Sequence, residues 1–111
     1  MAAETTIIGD TRLILMPVRL DTAGVQAMEP ELRSFCTEGP KKIVIDLSRT
    51  EYVASSGLRV ILQMTRDLAK ANGTVVLFGL RPPVRNIFDM AGFLSIFRIC
   101  ATRDEALEAL K

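Results

Sequence analysis

Ile43-Val44-Ile45-Asp46-Leu47 is an almost unbroken apolar run, followed by a polar loop from Ser48 to Ala54 and then by Ser55-Ser56-Gly57-Leu58-Arg59 at the head of a long periodic segment. A run this short and this apolar reads as a strand covered on both faces, since a strand with one wet face alternates instead. After the loop, Leu58, Ile61, Leu62, Thr65, Leu68 and Ala69 recur at steps of three and four, with Arg59, Gln63, Arg66, Asp67 and Lys70 on the opposite arc. That spacing marks an amphipathic helix. A doubly covered strand leading into such a helix is the building unit of a parallel sheet, so the predicted class is α/β.

The same pattern extends outward on both sides. Asn72-Gly73 stops the helix, Thr74 to Phe78 reads as a second buried strand, and Pro82-Pro83 opens a helix with Val84, Ile87, Phe88 and Ala91 on one stripe before Gly92. Ile96 to Cys100 reads as a further strand. Thr102, with Glu105 three positions later, forms a capping box for a last helix whose apolar side is Ala106, Leu107 and Leu110. Upstream, Thr5 to Ile8 and Arg12 to Val18 are β-rich runs around Gly9-Asp10, and Gly9 can take the positive φ of a tight hairpin turn. Asp21 or Thr22 caps a helix carrying Val25, Met28, Leu32 and Phe35 at helical spacing, and Gly39-Pro40 ends it. Pro30 inside that helix predicts a kink or break, because it lacks the N–H for a ladder bond and its ring meets the preceding turn. The predicted order is ββαβαβαβα: a mixed sheet of four to five strands with about four helices. No linker, repeat or low-complexity tract interrupts residues 1–111, which are expected to form one domain.

Composition bounds what such a domain can do. With 49% apolar residues, 24% charged residues and a net charge of +1, the chain has material for one core and none of the bias of a disordered segment. Its ten arginines are spread from Arg12 to Arg103, so the clustered positive footprint of a nucleic-acid binder is missing and no direct DNA or RNA partner is expected. Histidine is absent, which excludes Ser/His/Asp and Cys/His nucleophile systems, an imidazole base and a His-containing zinc site within the chain. Cys36 and Cys100 have neither zinc nor CxxC spacing and read as small core residues. No cofactor, metal or catalytic activity is therefore expected. The opening MAAETTIIGD has no basic and apolar leader pattern, and no apolar run approaches the ~20 residues of a membrane span, so a cytoplasmic protein without membrane insertion is expected.

One stretch differs from scaffold: Tyr52-Val53-Ala54-Ser55-Ser56-Gly57-Leu58-Arg59. Two hydroxyls and a glycine meet at a helix N-terminus, where N–H groups lack intrahelical acceptors and the macrodipole places about +0.5 of a charge, a setting that favours an anion. Plain N-capping is the competing role for these serines. A nucleophile elbow is excluded, because Val53 stands where its first glycine belongs and no histidine could activate Ser55. A phosphate-cradling P-loop is excluded too, since one glycine with no following lysine cannot wrap a nucleotide. At 100° per residue from Leu58, Arg59 and Gln63 fall near about 100° and 140° and Ser56 near about 160°, away from the core stripe. Ser56 is thus expected to be reachable by an enzyme. Val60 and Met64 lie between that surface and the stripe, as an apolar flank for a docked protein or as the shoulder of the core.

The chain resembles a STAS domain, the family of the bacterial anti-sigma factor antagonists. The resemblance rests on Val18-Arg19-Leu20-Asp21, Ile43-Val44-Ile45-Asp46-Leu47-Ser48, Ser55-Ser56-Gly57-Leu58, Val84-Arg85-Asn86-Ile87-Phe88 and Ala91-Gly92-Phe93, in that order over nearly the whole chain. It implies phosphorylation of the second serine of an Asp-Ser-Ser/Thr-Gly motif by an anti-sigma factor that is also an ATP-dependent serine kinase, a role that falls on Ser56 with Ser55 beside it. Ala54 stands where the motif usually has an acidic residue, and a methyl group can neither bond a hydroxyl nor present charge to a kinase. Asp21, Ser55, Ser56, Gly57, Arg59, Val60 and Gln63 are the expected partner-binding residues, Asp21 being otherwise a solvated loop carboxylate; Asp46 matches a further acidic landmark. The implied function is release of a sigma factor by capture of its anti-sigma factor. The alternative is a cytoplasmic STAS adaptor subunit of a membrane transporter, such as a phospholipid ABC system.

Overall fold

The computed structural model describes residues 4–111. In chain order its elements are β1 (Glu4–Ile8), β2 (Thr11–Leu15), β3 (Arg19–Leu20), α1 (Thr22–Thr37), β4 (Lys42–Asp46), β5 (Tyr52–Val53), α2 (Ser55–Lys70), β6 (Thr74–Phe78), α3 (Pro82–Met90), β7 (Arg98–Cys100) and α4 (Arg103–Ala109). Five strands form a mixed sheet in the order β1-β2-β4-β6-β7. β1 and β2 are antiparallel, and the remaining neighbours are parallel. The hairpin turns at Gly9-Asp10 with Gly9 at φ 62°, and Lys42 Nζ lies 2.9 Å from Asp10 Oδ2 across the β2–β4 boundary. That bond holds the Asp10 carboxyl below its usual range.

The continuous apolar runs are explained by which side each residue takes. Ile43 and Ile45 on β4, Val75 and Leu77 on β6 and Ile14 on β2 join one core cluster with the inner faces of α1, α2 and α3. Val44, Val76 and Phe78 join the other, with Ala106 on α4 and Leu110 at its C-terminal end. Side chains alternate along a strand, so a strand with helices on both faces has no wet position to mark with a polar residue.

The helices depart from expectation in instructive ways. α1 runs unbroken through Pro30, so of the kink or break expected there the break does not occur. Pro30 and Gln26, whose carbonyl loses its ladder donor to the proline, are on the exposed side, where water can satisfy it. Meanwhile Val25, Met28, Leu32 and Cys36 bury the opposite stripe, with Phe35 half-buried against it, and hold the helix against the sheet. Several buried apolar side chains at about 1.5–3 kcal/mol each outweigh an interior proline at about 3 kcal/mol. In α2, Met64 belongs to the core at 2% exposure, whereas Val60 is half-buried. Thr102 caps α4 by accepting from the Glu105 N–H at 3.2 Å, and Glu105 Oε2 accepts from Ala101 rather than from Thr102, a capping box displaced by one residue.

The two-residue strands β3 and β5 were not expected from the sequence. They form a separate parallel ribbon, with Arg19 opposite Tyr52 and Leu20 opposite Val53. At the other end of α2 the chain reverses through Asn72, at φ 62°, and Gly73. A Cβ on Gly73 would lie 2.5 Å from the Lys41 carbonyl oxygen, which already accepts from Thr74, and about 3 Å from Leu68. Gly73→Ala is therefore expected to lower stability by about 1–3 kcal/mol, because backbone rather than a flexible side chain must move. Urea unfolding at equal m-value tests this; a midpoint equal to that of the parent would show that the turn relaxes freely.

Candidate functional site

The ribbon β3–β5 builds the site. Glu51 N–H donates to the Val18 carbonyl, and Ala54 N–H donates to that of Leu20. The fully buried Thr50 hydroxyl donates to the Pro17 carbonyl at 2.8 Å, and Arg49 Nε to that of Met16 at 2.9 Å. The loop after β4 is thereby stitched to the segment before α1. Because β3 and β5 pair in parallel and in register, the helix that follows each starts at the same level, and the N-terminal turns of α1 and α2 lie side by side.

At this junction Ala54 is the N-cap residue of α2 and supplies no side-chain bond. The expected alternative of plain capping by serine is thus not realised: Ser55 and Ser56 are the first two residues inside the helix. Ser55 is exposed, while Ser56 is half-buried with its hydroxyl 3.4 Å from that of Thr22, the first residue of α1. The helical wheel of α2 placed Ser56 on an open arc, but α1 covers one side of it. Asp21 caps α1, its Oδ1 accepting from Gly24 N–H at 2.9 Å, and its Oδ2 lies 3.7 Å from Arg19 Nε. Gly57 is buried rather than on the surface; a Cβ there would come within 3.1 Å of the side chain and carbonyl oxygen of Leu20. Its small size lets α2 approach β3, so it shapes the site without presenting a side chain to a partner. Asp46, through Oδ1, accepts from Ser48 N–H at 2.8 Å and holds the loop turn.

Ser56 opens onto a groove of about 200 Å³ between α1 and α2. Ser56, Arg59, Val60 and Gln63 line it together, over an apolar floor that includes Val25, Leu32 and Met64. Two pairs tie down the rim: Arg33 with Glu29 at 2.7 Å, and Gln63 Nε2 with Asp67 Oδ1 at 2.8 Å. Arg59 makes no ion pair or hydrogen bond among the described residues, which leaves a free cation one turn from Ser56. Cys36 is also at the groove; burial, with the Asp67 carboxylate adding to it, pushes its thiol up, so it stays protonated and unreactive at neutral pH. Sequence reasoning overlooked Thr22 as a neighbour of Ser56. It also missed the stack of Arg19 on Tyr52, 4.8 Å from the ring centroid and beside the exposed Val18.

The profile of the STAS domain matches residues 2–106. The chain belongs to this family. A relative is BtrV of Bordetella bronchiseptica, named as an anti-sigma factor antagonist, which is 38% identical over 92 residues covering 83% of this chain and 79% of BtrV. Among solved structures, an anti-sigma factor antagonist from Mycobacterium paratuberculosis superposes with a TM-score of 0.88 at 22% identity, over 97% of this STAS chain and 92% of that one. The antagonist SpoIIAA does so in its unphosphorylated form (0.83, 23%, 96% and 94%) and, from Bacillus, in its phosphorylated form (0.76, 21%, 98% and 99%). At these identities the structures speak for the fold. No described helix of this STAS chain is long and apolar enough to cross a membrane.

Proposed function

We propose that this single STAS domain is an anti-sigma factor antagonist of the cytoplasm. Unphosphorylated, it binds an anti-sigma factor that is also a serine kinase and so frees the sigma factor; phosphorylation of Ser56 ends the binding. The protein catalyses nothing itself. The observation that carries this reading is the place of Ser56: a hydroxyl in the first turn of an uncapped helix, at the mouth of a groove with the free Arg59 on its wall. The names of its relatives and the existence of a phosphorylated SpoIIAA support it. The expected contact surface is Asp21, Ser55, Ser56, Arg59, Val60 and Gln63, with Gly57 acting from beneath.

Exposure alone would favour Ser55 as the acceptor, so the choice between the two serines is a sharp test. After incubation with the kinase and ATP, phosphosite mass spectrometry is expected to find one phosphate, on Ser56. Modification of Ser55, or none by a kinase active on another substrate, would overturn the assignment.

A further inference from the structure

Among the described residues one side-chain hydroxyl lies within hydrogen-bond reach of Ser56, and it comes from a part of the chain 34 residues away. Thr22 is placed there by register: it stands two residues after Leu20, as Ser55 stands two after Val53, and those strand residues are paired. Nothing in α1 needs the Thr22 hydroxyl. Asp21 already caps the helix, and Thr22 is exposed and outside the core. On the other side, the Ser56 hydroxyl has no second partner among the described residues, and Ala54 offers it none.

We propose that Thr22 is the positioning residue of the Ser56 hydroxyl: the Thr22 Oγ1 contact selects the rotamer in which Ser56 Oγ faces the groove and accepts a phosphoryl group. The proposal rests on the reading of Ser56 as the phosphorylated residue. In the transfer, Ser56 Oγ bonds to the γ-phosphorus of ATP as the bond from that phosphorus to the β–γ bridging oxygen breaks. ADP leaves with that electron pair, and the hydroxyl proton passes to the general base of the kinase. Thr22 neither gives nor keeps a proton in this balance. Its hydroxyl can accept from Ser56 before transfer and donate to a phosphate oxygen after it, because a hydroxyl is both donor and acceptor. A separation of 3.4 Å is longer than the 2.7–2.8 Å typical of a strong hydroxyl pair. The contact therefore biases orientation, and such contacts tighten when the reacting complex forms.

Thr22→Val keeps the β-branched shape and removes the hydroxyl, Thr22→Ala removes both, and Thr22→Ser keeps the hydroxyl. The first measurement needs no kinase: Hα–Hβ couplings of Ser56 in solution report its χ1 rotamers. One dominant rotamer is expected in the parent and in Thr22→Ser, and averaging over the staggered wells in Thr22→Val and Thr22→Ala, with unchanged melting temperatures. The second uses the kinase that modifies Ser56. Freeing a fixed rotamer among three wells should lower kcat about threefold for Thr22→Val, with KM unchanged and rescue by Thr22→Ser. Unchanged couplings in both hydroxyl-lacking variants, or a rise in KM with kcat preserved, would overturn the proposal. A chain in which Thr22→Val frees the rotamer but no kinase labels Ser56 would overturn the phosphorylation reading instead.

Discussion

Ser56→Glu is expected to melt within a few degrees of the parent and to lose affinity for the proposed anti-sigma factor kinase by a factor on the order of 10² to 10³. Both halves follow from where the charge goes. In the free protein a negative group at the second position of α2 meets first-turn N–H groups that no side chain caps, and Arg59 lies one turn away on the same helix. Such placement stabilises by about 0.3–1 kcal/mol at an exposed site, more for a phosphate of about −1.5 to −2 charges than for a carboxylate. Asp21 opposes it, but its carboxylate is 41% exposed and shared with Arg19, so the repulsion is screened. In the complex the same charge must be desolvated against a surface shaped for a hydroxyl. About 3–4 kcal/mol of unpaired-charge cost gives the predicted loss of affinity. Ser56→Ala should bind like the parent and be immune to switching. Calorimetric titration beside thermal melts checks each statement. Tight binding by the phosphorylated protein would sink the electrostatic mechanism, whereas tight binding by Ser56→Glu alone would fault only the mimic.

The central strands were legible because burial on both faces erases polar positions: Ile43–Leu47 and Thr74–Phe78 show it directly, and the structure places β4 and β6 there. The cap at Thr102 was legible, and the first cap was narrowed to Asp21 or Thr22 before the structure settled it on Asp21, because capping is local chemistry. The ribbon β3–β5 was not. Two residues carry no periodicity, and Arg19-Leu20 pairs with Tyr52-Val53 only because the intervening α1 and β4 bring these distant segments side by side. The fate of Pro30 was hidden for a related reason: local sequence shows what the proline costs α1, while the compensating burial of Val25, Met28, Leu32 and Cys36 depends on the sheet beneath.

The site divides along the same line. Ser55-Ser56-Gly57 stood out as a short pattern at a helix start, and the outward direction of Arg59 and Gln63 came from helix geometry alone. That the cap would be Ala54, that Gly57 would press on Leu20, and that Thr22 would meet Ser56 all depend on the level at which two helices start. A motif names the residue that can react. The tertiary register decides what surrounds it.

Phe88→Ala is expected to be the most damaging single truncation near this end of the molecule. α3 has nine residues, too few for a stable isolated helix, and two of its residues are fully buried, Val84 and Phe88. The Phe88 ring lies edge-on to Phe97, with centroids 5.7 Å apart at 66°, and Phe97 is held in turn by Phe93 at 5.7 Å and 74°. Deleting the first ring removes its own burial and the partner of the second, and the rigid sheet behind cannot close the space, so a loss of about 3–5 kcal/mol follows. For a domain whose total stability is about 5–15 kcal/mol, that is a drop in melting temperature on the order of 15 °C. Met90→Ala is the control: two residues further along the same helix, Met90 is 88% exposed and should change stability by less than about 0.5 kcal/mol. The damage should also reach the site. α3 packs on β5, the strand that feeds directly into Ser55, so Phe88→Ala should speed amide exchange through the ribbon and the first turn of α2 even where the domain remains folded. If Phe88→Ala unfolded at the same denaturant concentration as Met90→Ala, the aromatic cluster would not be what fixes α3 against the sheet, and the support of β5 would have to come from the hydrogen bonds of Arg49, Thr50, Glu51 and Ala54 to the segment before α1.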